Sequence, residues 1–316
     1  MNIILFASPG ILGPNMFASL CRRGREKVAC LVLPLKQHSI GNDDLLTIAH
    51  YAQVPYCAPR DLTDPEFIKK IKDIAPDIFL VASYDTKLPR ELLNIPKLAA
   101  VNIHPSLLPC YRGACPEFWA IRHGDTKTGV TLHELTERFD DGPILLQKEV
   151  FILPQETLGS LLYKLSNAAF EVACQFLDSV HREESLPRYT QDESQVTYAP
   201  LVSADDLEID WKDKSSSIIN LIRAANPLGG AWSLFRGFHL KIWYADMVDF
   251  PELQGKYDNA NPGTLIPLSH HQKLLVTTGD GLIELRTLQY ALFYIIDGWG
   301  FVTHTKISSN ECLSVS

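Results

Sequence analysis

Over the first hundred residues, short apolar runs rich in β-branched and aromatic residues alternate with stretches whose apolar positions recur every three or four residues. The runs are Asn2 to Ala7, Val28 to Leu33 and Asp77 to Tyr84; the amphipathic stretches lie near Asn15 to Arg23, Asp43 to Ala52 and Pro65 to Ile74. An unbroken apolar run of strand length is buried on both faces, and a helix between two such strands returns the chain for parallel pairing. This order predicts an α/β, doubly wound parallel sheet. Ligands of such sheets bind beyond the carboxyl ends of the strands, where the strand order switches.

The run Leu98 to Val101 continues into Asn102-Ile103-His104-Pro105-Ser106. Two residues apart on a strand, the Asn102 and His104 side chains leave the same face and can converge on one atom. An amide is a fixed donor suited to an oxyanion, and imidazole both gives and takes protons near neutral pH. A carboxylate downstream, Asp140, would orient and charge that imidazole. A strand-end histidine alone is more often a satisfied structural residue. Here the amide beside it and the Ser/Pro/Gly turn after it favour chemistry, namely moving an acyl group onto an amine.

Several other classes are disfavoured. The turn after the first strand holds Gly10 and Gly13, two of the three glycines of a dinucleotide fingerprint, and no acidic residue closes the second strand at Leu31-Val32-Leu33. A tight βα turn is the better reading. Seven cysteines, an odd number without a C-x-x-C pair, argue against a disulfide framework or structural zinc. Cys110 and Cys115 flank the turn after His104, where a Cys/His nucleophile would sit; free cysteines more often act as small buried hydrophobes. The longest apolar runs are strand-sized and the amino-terminal residues lack a basic leader, which points to a cytoplasmic protein without a membrane partner. A net charge of −8 disfavours a broad electrostatic grip on nucleic acid.

With these residues in view, the chain resembles the formyltransferases that use 10-formyltetrahydrofolate. The shared features are Asn102-Ile103-His104, the loop Ser106 to Gly113, and Gly129-Val130-Thr131 leading to Asp140-Asp141-Gly142. Further similarity lies at Ala82 to Pro89, Gly159 to Leu165, Ile209-Asp210-Trp211, Ile222 to Pro227, Pro262-Gly263 and Thr278 to Gln289, so it covers about residues 1 to 290. The resemblance implies a Rossmann-like catalytic domain, a metal-free site with Asn102, His104 and Asp140 as catalytic residues, and 10-formyltetrahydrofolate as donor. It also implies that Tyr84, Thr86, Lys87 and Leu88, together with Thr136, Arg138 and Phe139, border the pterin pocket. Ser106, Leu107, Leu108, Pro109, Arg112 and Gly113 would shape its mouth. Lys87, Arg112 and Arg138 are cations suited to a folate glutamate tail or an anionic acceptor.

Thr157 to Val180 reads as a long helix with Leu158, Leu161, Leu162, Leu165 and Ala169 on one stripe. A polar stretch broken by Pro187 follows. The expected organisation is a catalytic domain over residues 1–188, a linker over 189–204 and a second domain over 205–316. The latter has a helix from Ser215 to Ala225 and β-like runs at His239 to Ala245, Gly263 to Ile266, Lys273 to Thr277 and Leu282 to Leu288. A small OB-like barrel fits that pattern.

The family's two-domain branches formylate methionyl-tRNA or an amino sugar nucleotide. Where the tRNA branch carries a Gly/Arg/Lys-rich loop, this chain has Pro34 to Asn42 with the single cation Lys36. Residues 200–316 carry nine Lys and Arg against thirteen Asp and Glu, a poor balance for phosphate binding. Val130-Thr131-Leu132-His133 resembles the sugar-nucleotide branch, and the aromatic tail Tyr290 to Gly300 departs from both. The expectation is therefore a small-molecule amine acceptor, with methionyl-tRNA second and hydrolysis of 10-formyltetrahydrofolate third. No residue pattern speaks to an oligomeric state.

Overall fold

A computed structural model describes residues 1–35, 42–248, 250, 253, 255–257, 259–290, 294–308 and 311–315. Expectations at residues 36–41, in the cation-poor stretch, and 291–293, in the aromatic tail, lie outside the described residues. The chain forms two compact units. One comprises residues 1–116, 127–151 and 161–200; the other comprises 117–126, 152–160 and 201–316.

The first unit begins β1 (Asn2–Ala7), α1 (Leu12–Arg23), β2 (Lys27–Val32), α2 (Asn42–Ala52), β3 (Tyr56–Cys57), α3 (Pro65–Asp73), β4 (Ile78–Ala82), α4 (Arg90–Leu93) and β5 (Ala99–His104). It continues through β6 (Arg112–Gly113), α5 (Pro116–His123), β7 (Lys127–Glu134), β8 (Ile144–Phe151), α6 (Leu158–His181) and β9 (Tyr198–Ala199), with α5 and the start of α6 shared with the second unit. The sheet order is β3-β2-β1-β4-β5-β7-β8. Strands β1 to β5 run parallel, while β7 and β8 add as antiparallel strands that the apolar runs did not reveal.

Helix starts and stops follow the sequence. Asp64 caps α3 by accepting the Glu66 N–H at 3.0 Å, with Pro65 in the first turn, where no amide donor is needed. Gly24 ends α1 in the left-handed conformation and donates to the Leu20 carbonyl. Helix α3 inserts Phe67 and Ile71 against Ile4, Phe6, Cys30, Phe79 and Val81 of the sheet. Each fully buried phenylalanine there contributes about 2–3 kcal/mol of transfer free energy. Strands β4 and β5 present the residues of interest at or just beyond their carboxyl ends.

The second unit contains α7 (Ser215–Ala224), β10 (Ala231–Phe235), β11 (Phe238–Met247), β12 (Leu265–Leu268), β13 (Lys273–Thr277), β14 (Leu282–Tyr290), β15 (Tyr294–Asp297) and α8 (Gly298–Thr305). Its antiparallel sheet runs β10-β11-β14-β13-β12, with β15 on β14. Strands β10 and β15 and helix α8 extend the sequence expectation. Phe301 of α8, directly after that tail, is buried and packs its ring 5.1 Å from that of Phe235.

Residues 189–200, read from sequence as linker, run along the first unit. Tyr189 bridges Ile144, and β9 pairs in parallel with β6.

Candidate active site

Strand β5 pairs with β4 on one side and β7 on the other, in the registers Val81↔Asn102 and Asn102↔His133. Asn102 and His104 therefore emerge side by side at the carboxyl edge of the sheet. Asn102 Nδ2 donates to Asp140 Oδ1 at 3.2 Å and also lies 3.0 Å from His133 Nε2. His104 Nδ1 lies 3.5 Å from the same Asp140 Oδ1, and its Nε2 sits 2.8 Å from the Tyr111 carbonyl oxygen. A carbonyl only accepts, so the proton of the neutral ring is on Nε2 and the lone pair of Nδ1 faces Asp140. By the same argument His133 donates from Nδ1 to the Glu134 carbonyl at 2.8 Å, leaving Nε2 to accept from Asn102.

Three members of the cluster are buried, His104 at 4% exposed, His133 at 1% and Asp140 at 7%, while Asn102 is half-buried. Burial pushes the His104 pKa below the ordinary histidine value; Asp140 and the Tyr111 carbonyl oppose this without reversing it, and His133 adds to it. Burial alone would raise Asp140. The neighbouring His104 and His133 rings and the Gly113 N–H outweigh it and hold the carboxyl at about 2. The site thus sets an ionised carboxylate beside a ring that burial keeps neutral.

The remaining sequence-predicted residues divide into three groups. Tyr84, Thr86, Lys87 and Leu88 line a cleft of about 730 Å³ beyond the end of β4, with Pro34 and Leu62 among its apolar walls. Burial raises the Tyr84 hydroxyl, which stays protonated. Lys87 stacks 4.8 Å over the Phe139 ring, joining the two segments expected to border the pterin. Arg138 is exposed beside Asp141, and Thr136 accepts the Arg138 N–H.

Ser106 to Pro109 form a turn fastened to β7. Ser106 Oγ donates to the Cys110 carbonyl at 2.7 Å, and Thr131 Oγ1 donates to the Ser106 carbonyl while accepting the Leu108 N–H. Leu107 packs on Gly129, where a side chain would collide with it. Arg112 is 5% exposed and points inward, donating to Gln191 and Glu193. Gly113 gives its N–H to Asp140 Oδ2 at 3.0 Å.

Two participants were not singled out from sequence. His133 was visible as part of a resemblance only; its place beside Asn102 follows from the β5–β7 register. Gln191 lies in the polar stretch after α6 and carries no pattern that separates it from a surface residue. Among the described residues, no group of three or more His, Cys, Asp and Glu is arranged to hold a metal ion, and no helix is long and apolar enough to cross a membrane.

A Rossmann-like sheet with a half-buried amide beside a buried imidazole and carboxylate at its carboxyl edge defines a group-transfer enzyme of the α/β class. Residues 20–177 match the formyl transferase family and residues 201–303 match the formyl transferase C-terminal domain. Methionyl-tRNA formyltransferase of Thermodesulfovibrio yellowstonii is 32% identical over 311 residues, 97% of each chain, and that of Syntrophus aciditrophicus is 37% identical over 293 residues, 92% of this chain and 91% of the relative. Among solved structures, the N-formyltransferase from Helicobacter canadensis in complex with folinic acid and dTDP-3-aminofucose has a TM-score of 0.66 at 17% identity, covering 92% of this chain and 100% of the other. HypX from Aquifex aeolicus in complex with tetrahydrofolic acid has a TM-score of 0.66 at 18% identity, covering 98% of this chain; this chain spans 48% of HypX, about half its length. The chain belongs to the formyltransferase family and is a one-carbon group transferase.

Proposed function

We propose that the chain transfers the formyl group of 10-formyltetrahydrofolate to the amine of a methionyl-tRNA in the cytoplasm, with Asn102, His104 and Asp140 as the catalytic residues. The observation that carries the chemistry is the convergence of Asn102 Nδ2 and His104 Nδ1 on one Asp140 oxygen, at 3.2 and 3.5 Å. The cleft lined by Tyr84 and Leu88 opens at the same sheet edge and has the size and partly apolar lining that a pterin needs. Support for the acceptor comes from relatives similar over more than nine-tenths of both chains. This reverses the order expected from sequence, where a small amine stood first.

As the amine attacks the formyl carbon, its nitrogen gains positive charge and the formyl oxygen negative charge. His104, kept neutral at pH 7 by burial, takes the amine proton on Nδ1 and becomes an imidazolium beside Asp140. Asn102 Nδ2 exchanges its bond to Asp140 for one to the oxyanion; a donor in that role contributes about 3–4 kcal/mol to the transition state. Collapse of the intermediate breaks the bond from the formyl carbon to N10 of the folate, and His104 returns the proton to that nitrogen. His133 orients the Asn102 amide by accepting its other N–H.

A small amine remains the second reading, favoured by the acidic balance of residues 200–316. The test is to incubate the protein with 10-formyltetrahydrofolate labelled in the formyl group and, separately, methionyl-tRNA, an amino sugar nucleotide, free methionine or no acceptor. Label should appear in methionyl-tRNA. Label confined to a small amine would overturn the tRNA assignment, and equal formate release without acceptor would mark a hydrolase.

A further inference from the structure

Gln191 is 6% exposed and uses the whole hydrogen-bonding capacity of its side chain. Its Nε2 donates to the carbonyls of Asp140 and Gly142, both at 2.8 Å. Its Oε1 accepts from Arg112 Nε at 3.1 Å and Nη2 at 2.9 Å. Two donors and two lone-pair directions are thereby filled, which fixes the amide orientation without ambiguity. Arg112 is anchored in turn by Glu193, with Nη2 to Oε1 at 2.9 Å.

This arrangement surrounds a strained position. Asp140 has φ +55, a left-handed conformation that costs an L-residue about 1–2 kcal/mol and persists only where its surroundings enforce it. The carbonyls of Asp140 and Gly142, which flank Asp141, are both held by one amide. Arg112 precedes Gly113, whose N–H is aimed at the Asp140 carboxylate. Gln191 thus joins the backbone that carries the carboxylate to the backbone that receives it.

We infer that Gln191, braced by Arg112, is a positioning residue for Asp140, setting its carboxylate between the Gly113 N–H and His104. The inference rests on the reading of Asp140 as catalytic. It also assigns Arg112 to a buried brace, with its donors given to Gln191 and Glu193 instead of to the folate tail or the acceptor. A displacement of the order of 1 Å at a reacting group typically costs about 100-fold in rate.

Two substitutions separate the roles. Gln191→Met keeps the volume and removes all four bonds; Gln191→Glu still accepts from Arg112 and no longer donates to the carbonyls. Turnover is measured with 10-formyltetrahydrofolate and methionyl-tRNA, or the amine that the acceptor panel identifies, beside Asp140→Asn as a reference. Both Gln191 variants should fold, lose about 10- to 100-fold in kcat with the donor KM within about threefold, and shift the acidic limb of kcat/KM to lower pH. The shift follows because a displaced Asp140 no longer favours the His104 imidazolium, and a change in stability alone would not move it.

Folded variants with kcat and pH profile like the wild type, beside an inactive Asp140→Asn, would overturn the positioning role. Failure of both variants to fold would do the same, because it would place Gln191 in the core. An active Asp140→Asn would instead remove the reading of the site on which the inference stands.

Discussion

Gly113 and Asp140 are joined by a hydrogen bond of 3.0 Å from the glycine N–H to carboxylate Oδ2, across 27 residues of sequence. Both ends need unusual backbone. Gly113 has φ +121, and a Cβ there would lie 2.6 Å from the Ala199 carbonyl oxygen, so only glycine lets β6 approach β9 this closely. Hydrogen bonds to a charged acceptor contribute about 1.5–3 kcal/mol, more than neutral ones. The glycine of the Arg-Gly pair thus has a local reason that its place in a loop motif does not disclose.

Gly113→Ala should therefore damage both stability and chemistry. The backbone must move off Ala199, and the N–H turns away from Asp140. A loss of about 2 kcal/mol or more in unfolding free energy is expected by denaturant titration. Turnover should fall even at temperatures where the variant stays folded. Unchanged turnover and stability would show that β6 relaxes without cost.

The pH profile tests the two ionisations together. His104 must be neutral to accept a proton, and its pKa lies below the ordinary histidine value. The acidic limb of kcat/KM should consequently fall below about 6.5. Asp140 raises the His104 pKa, so Asp140→Asn should move that limb lower still while reducing the rate. Asn102→Ala and His104→Ala should each lower kcat/KM by about 100- to 1000-fold. Stability follows the same signs. Both groups titrate below their unfolded values, so their contribution is present at neutral pH. It is lost first as pH falls below about 6.5 through the His104 value, then from about 4 through the Asp140 value at about 2. A limb at or above 6.5, or one that Asp140→Asn does not move, would contradict this assignment.

Strands β1, β2, β4 and β5 were legible because burial on both faces leaves an unbroken apolar run, and period-2 spacing placed Asn102 and His104 on one face. Strands β7 and β8 were not. Thr128 and Thr131 are buried within β7, where hydrogen bonds to the 106–110 turn satisfy Thr131, so polarity there gives no sign of the sheet. Arg112 read as a ligand cation because sequence records its charge and not its direction. His133 and Gln191 reach Asn102 and Asp140 only through strand register and a returning segment, which no local pattern encodes.

Glu117 offers a test away from the triad. Its residue is partly exposed, yet Oε2 is buried and finds no hydrogen-bond partner among the described residues. Burial raises this carboxyl to about 7. A raised carboxyl contributes its full stability below the unfolded value near 4.5 and loses it as pH rises through about 7. Glu117→Gln cannot ionise and escapes that loss. The variant should match the wild type near pH 4.5 and exceed it by up to about 3 kcal/mol at pH 8, read from thermal melts across pH. Parallel melting curves at both pH values would mean that the carboxylate is solvated.

The last prediction concerns where the first unit ends. The sequence reading ends the catalytic domain at residue 188, with 189–204 as linker; we propose that the domain extends to residue 200, and the described contacts set a direct trial of it. Ending the chain at 188 removes Gln191 and Glu193, the partners of buried Arg112, together with β9 and the acceptor of the Arg112 N–H, the Thr197 carbonyl. A buried guanidinium stripped of its partners costs about 3–5 kcal/mol. A chain of residues 1–200 keeps them all. If the segment acts as part of the first unit, 1–200 should be the more stable of the two by several kcal/mol in urea, and only it should retain the low Asp140 pKa. Equal stability of the two truncations would support the boundary at 188 and show that the strap from Tyr189 to Ala199 adds nothing to the fold it touches.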